Sequence, residues 1–157
     1  MKKTMIATFL ILSITCATAA EFTKFSKSFI KNFEDCDAYS ETSTSEFEGT
    51  TFTSQRSIIG WRNGVCRYQE VIKSSTESYQ ISCNFTSAQL DELYEAMKDK
   101  KKEPRKYELE TFVEQTDKNG KTKYISAGTR TIKGNLAYIT WAKYENNPYF
   151  CTYKKLK

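Results

Sequence analysis

Four cysteines behind a secretory-type N-terminus constrain this chain more than any other sequence feature. The segment 1–19 starts with Lys2 and Lys3, continues in a short apolar run and ends with the small residues Ala-Thr-Ala at 17–19. This is the pattern of a signal peptide of bacterial type, which we expect to be cleaved near Ala20. The apolar run is short for a bilayer span, and we expect no transmembrane segment in the mature protein. The sequence thus predicts an exported protein, periplasmic or extracellular.

The cysteines that follow predict a disulfide-stabilised fold. Cys16 lies in the signal peptide, where a lipoprotein-type cleavage is a weak alternative, and Cys36, Cys66, Cys83 and Cys151 remain in the mature chain. An even number in an exported chain indicates two disulfides, each typically adding about 2–4 kcal/mol to stability. Of the three connectivities we favour Cys66–Cys83 with Cys36–Cys151, because the first pair falls on adjacent predicted strands and on the same face.

The composition excludes several classes of chemistry. Histidine is absent from the sequence, which removes Ser-His-Asp and Cys-His catalysis and zinc sites built with imidazole. Pairing of the cysteines would remove thiolate chemistry as well. The net charge is +5, to which the signal peptide contributes two lysines, and this diffuse charge does not indicate a nucleic-acid partner. We therefore expect no cofactor, no bound metal and no nucleic acid.

Residues 20–85 are predicted to form a helix followed by an antiparallel meander. Aromatic residues recur every three or four positions over 22–33, as on the buried face of an amphipathic helix. The stretch 40–48 is rich in Ser, Thr and Glu, which suits an exposed edge strand or a loose connection. Asn63-Gly64 lies between two β-rich runs and is a strong hairpin signal, and the alternation over 79–85 indicates a half-buried strand.

Residues 86–157 are predicted to repeat this order. Thr86 and Gln89 have the spacing of a capping box, and the helix that they open runs into lysines before Pro104. Four strands separated by turns are expected after it, at 107–115, 123–132, 136–144 and 149–156.

Together these patterns predict an α+β fold with two helix-plus-meander half-units, 20–85 and 86–157, in one compact domain over 20–157. Loosely corresponding residues, such as Tyr68 and Tyr138, agree with an internal duplication without establishing it. A helix on a meander is also the topology of cystatin-like half-domains and of tandem inhibitor-type modules. That analogy concerns topology and implies no function.

Trp61 and Arg62 form the first candidate binding site. They precede the predicted Asn63-Gly64 turn, and Trp and Arg are both common at binding hot spots. The alternative, which we favour for Trp61, is a core residue folded back onto the helix, since large aromatic side chains are usually buried.

A basic segment, residues 98–106, is the second candidate. Its Lys100, Lys101, Lys102 and Arg105 could hold an anionic polymer or lipid. The alternative is an ordinary helix end, where cations complement the helix dipole, and the interrupting acids Asp99 and Glu103 favour it.

Three carboxylates on one strand face, Glu108, Glu110 and Glu114, are the third candidate, because paired carboxylates hydrolyse glycosides. A solvated strand face is the interpretation that we favour, since nothing nearby would give these carboxyls different pKa values.

The function that these observations favour is a non-catalytic binding module whose partner is a protein or an envelope component. A protein that binds anionic polymer or lipid through the basic segment is the first alternative. A carboxylate-based hydrolase is the second, and we expect the protein not to be an enzyme.

Overall fold

The computed structural model describes residues 20–47, 49–101 and 103–157; the predicted signal peptide and Lys102 lie outside these ranges. The chain has an α+β fold with three helices, a five-stranded antiparallel sheet and a separate two-stranded hairpin. In the sheet the strand order is β1-β2-β3-β4-β7, and β5 pairs with β6. The elements are α1 (Lys27–Glu34), β1 (Tyr39–Phe47), β2 (Thr50–Arg62), β3 (Val65–Lys73), β4 (Ser78–Phe85), α2 (Ser87–Lys98), β5 (Arg105–Thr116), β6 (Thr122–Gly134), α3 (Leu136–Glu145) and β7 (Cys151–Lys155).

The helix and the first four strands follow the sequence prediction closely. Asn63 and Gly64 have φ values of 53° and 78°, the left-handed pair that a tight hairpin between β2 and β3 requires. The predicted edge strand is β1, which pairs with β2 at the end of the five-stranded order. The helix, however, begins at Lys27 and not at 22, because Ser26 caps it by accepting a hydrogen bond from the Phe29 backbone N–H at 3.0 Å.

The predicted strand at 136–144 is wrong, because these residues form α3. Asn135 caps the helix by accepting from the backbone N–H of Tyr138 at 3.0 Å. The helix is buried on most of its circumference, so it lacks the one-sided apolar period by which an exposed helix is recognised. Its buried residues are Ala137, Ile139, Thr140, Trp141, Ala142 and Tyr144.

The second half is consequently not a helix-plus-meander unit. It contains α2, the β5–β6 hairpin, α3 and one strand, β7, which joins the sheet of the first half beside β4. The expected repeat of four strands over 86–157 is therefore corrected to a hairpin, a helix and a single returning strand.

The aromatic core lies between one face of the sheet and the helices. Trp141 of α3 packs against Phe33 and Tyr68 with ring centroids 5.5 and 4.8 Å apart, and Phe85 lies 5.9 Å away. These four rings are almost wholly inaccessible to solvent. Burying large aromatic side chains is a main source of stability in a domain of this size.

The two disulfides are Cys36–Cys66 and Cys83–Cys151, not the predicted pairs. Cys66 and Cys83 do lie on adjacent strands, but offset by two residues, since Cys83 is directly opposite Tyr68. Cys151 of β7 instead lies directly opposite Cys83, with Cα atoms 4.1 Å apart. The pairing was mispredicted because the sequence did not indicate that β7 returns to the first sheet.

Peptide mapping of the unreduced protein is expected to recover Cys36–Cys66 and Cys83–Cys151. Replacing either pair with serines should lower the free energy of unfolding by about 2–5 kcal/mol, as measured by urea denaturation. The bridges join residues 30 and 68 positions apart, so the chain-entropy model makes the second loss greater by under about 1 kcal/mol. A Cys66–Cys83 peptide would contradict this fold.

Candidate functional site

The inner face of the five-stranded sheet has a helix-covered half and an uncovered half. On β3, Cys66, Tyr68, Glu70 and Ile72 point to this face in turn, as alternation along a strand requires. The helices cover the end that carries Cys66 and Tyr68. Beyond Glu70 the face opens into a cleft.

A charged row crosses the sheet where the two halves meet. Glu41 of β1, Arg56 of β2 and Glu70 of β3 are in register on three adjacent strands. The Arg56 guanidinium lies 3.7 Å from a Glu41 oxygen and 3.4 Å from a Glu70 oxygen, and all three side chains are largely shielded from water. Charged groups in such surroundings are stable only when they are paired, so this row marks the limit of the aromatic core.

Glu70 is the centre of this polar network. Its side chain is 8% exposed, and the Tyr68 hydroxyl donates to its Oε2 at 3.0 Å. The Ser54 hydroxyl donates to the other oxygen, which also accepts from Nε of Arg56. Burial and the charge of Glu70 raise the pKa of the Tyr68 phenol well above its usual value, so Tyr68 remains a neutral donor.

The cleft lies between the uncovered half of the sheet and the β5–β6 hairpin, which we call the arm. Its volume is about 900 Å³. Loose aromatic contacts connect the arm to the β7 side, where the Tyr149 ring lies 6.1 Å from Phe112 and 6.2 Å from Tyr124. The apolar and aromatic side chains that line it are Phe52, Ile72, Tyr79, Phe112, Tyr124 and Tyr153.

At the base of the cleft is Glu145, the last residue of α3. Burial raises the pKa of its carboxyl well above the usual range, the charge of Glu70 adds to this, and Arg56 opposes it. A hydrogen bond between the two carboxyls raises the pKa of Glu145 further. Tyr68, Tyr138 and Tyr153 are the other titratable groups whose ionisation is coupled to the charge of Glu145.

The two residues at the β2–β3 hairpin lie far from this cleft. Trp61 is 47% exposed, so it is not the core residue that we favoured, and its indole N–H donates to the Asp35 carbonyl at 3.0 Å. Arg62 is exposed beside it. Trp61 is nine residues from Phe52 on β2, a separation of about 30 Å along an extended strand.

The basic segment does not line the cleft either. Lys100, Lys101 and Arg105 are exposed, and Lys102 lies outside the described residues. Arg105 is paired with Asp99 at 3.2 Å, and Lys98 with Glu95 at 2.9 Å. Neither of the two binding candidates therefore lines the cleft.

The three strand carboxylates are exposed on β5. Glu108 accepts a hydrogen bond from the Thr131 hydroxyl at 2.6 Å, and Glu114 lies at the cleft. Glu108 and Glu110 do not line the cleft that Glu114 lines, and Glu114 is about 20 Å from Glu108 along an extended strand, so the three carboxyls do not form one site.

The sequence prediction missed Glu70, Arg130 and Glu145, which supply the polar chemistry at and behind the cleft. The sequence could have identified Glu70, because it is an acid at an inward position of a strand, between Tyr68 and Ile72. Glu145 was assigned to a turn, and Arg130 looked like an ordinary polar position in a strand. Their surroundings come from contacts distant in sequence.

Within the described residues no cluster of His, Cys, Asp or Glu has the geometry to hold a metal ion. No helix in these ranges is long and apolar enough to cross a membrane.

No family model, curated protein or solved structure matches this chain. Its function is therefore argued from its own geometry.

Replacing Glu145 with Gln is expected to change the pH dependence of stability. A carboxyl whose pKa is higher in the folded state than in the unfolded state binds its proton more tightly when folded. Its contribution to the free energy of unfolding is therefore greatest at low pH. This contribution falls as the pH rises from the carboxyl's pKa in the unfolded state to its pKa in the folded state, by at most about 1.4 kcal/mol per pH unit. The neutral amide avoids this loss, so the stability of the variant relative to wild type should increase with pH.

Urea denaturation at several values between about pH 4 and pH 8 measures this difference. Glu110→Gln, at an exposed position of the arm, is the control and should give a nearly constant difference across the range. A constant difference for Glu145→Gln as well would show that the Glu145 carboxyl titrates normally.

Proposed function

We propose that this chain is an exported, non-catalytic binding protein and that its ligand, a protein segment or an envelope component, occupies the cleft between the sheet and the arm. The supporting observation is the cleft itself, whose volume of about 900 Å³ and largely apolar lining, with five aromatic side chains, are typical of ligand-binding sites. The signal-peptide pattern and the two disulfides support the exported location.

The arrangement of the acids favours binding over catalysis. Glu145 lines the cleft, but Glu70 is committed to Ser54, Arg56 and Tyr68 and does not line it. A pair of catalytic carboxyls needs both groups to reach the reacting bond.

The cystatin-like analogy is kept only as a topological proposal for α1 and the meander β1–β4. The chain that follows these elements has a different order of helices and strands, and the proposed ligand site lies against the arm, which that analogy does not include.

Thr111→Trp is expected to block ligand binding. Thr111 lines the cleft opposite Gly128, which has no side chain, so an indole at this position would fill the space between arm and sheet. Retention of ligands from the native envelope fraction on immobilised oxidised protein measures the effect. We expect a component held by wild type to be reduced about tenfold or more with the variant.

Thr129→Trp is the matched control, since Thr129 is an exposed arm residue next to Arg130 and does not line the cleft. This variant should retain the component at the wild-type level. Equal retention by all three proteins would place the binding surface elsewhere and contradict the proposal.

A second candidate function is the binding of anionic polymer or lipid by the basic segment. The observation in its favour is that Lys100, Lys101 and Lys106 are exposed and that no ion pair holds them among the described residues. Each lysine near an anionic surface contributes about 1 kcal/mol, so changing all three to Gln should weaken binding to phosphatidylserine vesicles about a hundredfold.

Cosedimentation at low and high salt measures this binding. The control removes the same charge from the far end of the arm, where Lys118, Lys121 and Lys123 are exposed. Binding that is insensitive to salt, or equal losses in both triple variants, would contradict a role for the segment.

A further inference from the structure

Arg130 is the charge in the cleft that lacks a counter-charge. Five lining residues are acidic or basic: Glu77, Glu114, Arg130, Glu145 and Lys155. Glu77 and Lys155 neutralise each other across 3.0 Å. Glu114 is exposed on the arm, where water solvates it. Among the described residues Arg130 is in no ion pair, although it is only partly accessible to solvent.

The guanidinium of Arg130 is held in place by a neutral group. One of its terminal nitrogens donates to Oδ1 of Asn146 at 3.3 Å, and Nδ2 of Asn146 donates to the Ala142 carbonyl at 2.8 Å. The amide is therefore fixed at the end of α3 with its oxygen toward Arg130. Asn146 positions the arginine without neutralising it.

The Nε atom of Arg130 is buried and has no hydrogen-bond acceptor among the described residues. A buried donor without an acceptor is costly, and more so on a charged group. A ligand carboxylate in the cleft would bring the missing negative charge to the guanidinium and accept hydrogen bonds from its terminal nitrogens, as carboxylates paired with arginine do.

Glu145, the acid beside Asn146, does not supply the missing charge. Burial and the neighbouring charge of Glu70 raise the pKa of its carboxyl and so favour the protonated form, and the cation that acts on it is Arg56, the middle residue of the charged row. Tyr68 and Tyr153 also face it, and both are neutral phenols with raised pKa values. The base of the cleft therefore leaves Arg130 without a counter-charge.

The side chains on the two walls of the cleft indicate the shape of the apolar part of the ligand. Phe52, Ile72 and Tyr79 of the sheet face Phe112 and Tyr124 of the arm. From Tyr153 on β7 to Phe52 on β2 the floor crosses three strand spacings, about 14 Å. This is room for an apolar chain or a ring system that lies across the sheet.

We propose, resting on the proposed binding function of the cleft, that its ligand is an amphipathic carboxylate whose apolar body lies between sheet and arm and whose carboxylate accepts hydrogen bonds from Arg130. The class is defined by one anionic head and one continuous apolar body, as in a medium-chain fatty acid.

Titration calorimetry with three probes of equal chain length tests the head group: decanoate, 1-decanol and decylamine. We expect decanoate to bind wild type most tightly. Arg130→Gln should weaken decanoate binding by about tenfold or more, because it removes both the charge and the paired donors, and should change decanol binding by less than about threefold.

Arg67→Gln is the control, because it removes an arginine that lies on the outer face of β3 and does not line the cleft. It should leave decanoate binding unchanged. Circular dichroism and thermal unfolding of both variants separate a loss of binding from a loss of folding.

Equal affinity for decanoate and decanol, or tighter binding of decylamine, would overturn the assignment of an anionic ligand while leaving the cleft as a binding site. An unchanged decanoate affinity in Arg130→Gln would overturn the role of Arg130. If none of the probes binds, the ligand class is wrong. The binding function of the cleft is tested separately, by the retention experiment with Thr111→Trp.

Discussion

The pairing of β7 with β4 is the contact on which the rest of the structure depends. It is antiparallel, runs from Tyr79–Lys155 to Cys83–Cys151, and a disulfide joins its last pair. Because β7 brings the end of the chain back to the sheet of the first half, the intervening chain is held over that sheet. α2 and α3 close the aromatic core, and the arm is placed over the part of the sheet that they leave uncovered.

The charged row of Glu41, Arg56 and Glu70 explains why the helices do not cover the whole face. A strand in a helix-covered sheet normally has apolar residues at every inward position, but three adjacent strands have charged residues at the same level. The three side chains satisfy one another within the plane of the sheet, and Tyr68 and Ser54 complete the bonds of Glu70. Replacing any of these charged residues by an aromatic one would leave its charged partners buried and unpaired. The free energy that this costs is greater than the free energy gained from the additional apolar contact.

The same row gives the cleft its chemistry. Burial, together with the charge of Glu70 behind the cleft, raises the pKa of Glu145 well above its usual range, so the base of the cleft is polar and its negative charge is disfavoured. On the other wall, Arg130 is held by a neutral amide and keeps an unsatisfied donor. Such a cleft, with one uncompensated cation and aromatic side chains in its walls, selects a ligand by the charge of the ligand's polar head and by the shape of its apolar body. This selection requires no chemical reaction.

Local sequence determined the elements whose signals are local: the Asn63-Gly64 hairpin, the capped start of α2, where Gln89 accepts from the Thr86 N–H at 2.8 Å, and the exposed edge strand β1. It also determined that the cysteines pair, since their number and context do not depend on the fold. Tertiary structure alone decided the course of α3, the place of β7 and hence both disulfide partners. A helix buried on most sides has no period to distinguish it, and strand pairing depends on contacts between residues far apart in the chain. The candidate site also depends on tertiary structure. Glu70 is recognisable in the sequence as an acid among inward-facing residues, but the raised pKa of Glu145 and the unpaired charge of Arg130 arise only when α3 and the arm are folded over the sheet. The physical reason is that burial and neighbouring charges, and not residue type alone, determine the behaviour of an ionisable group.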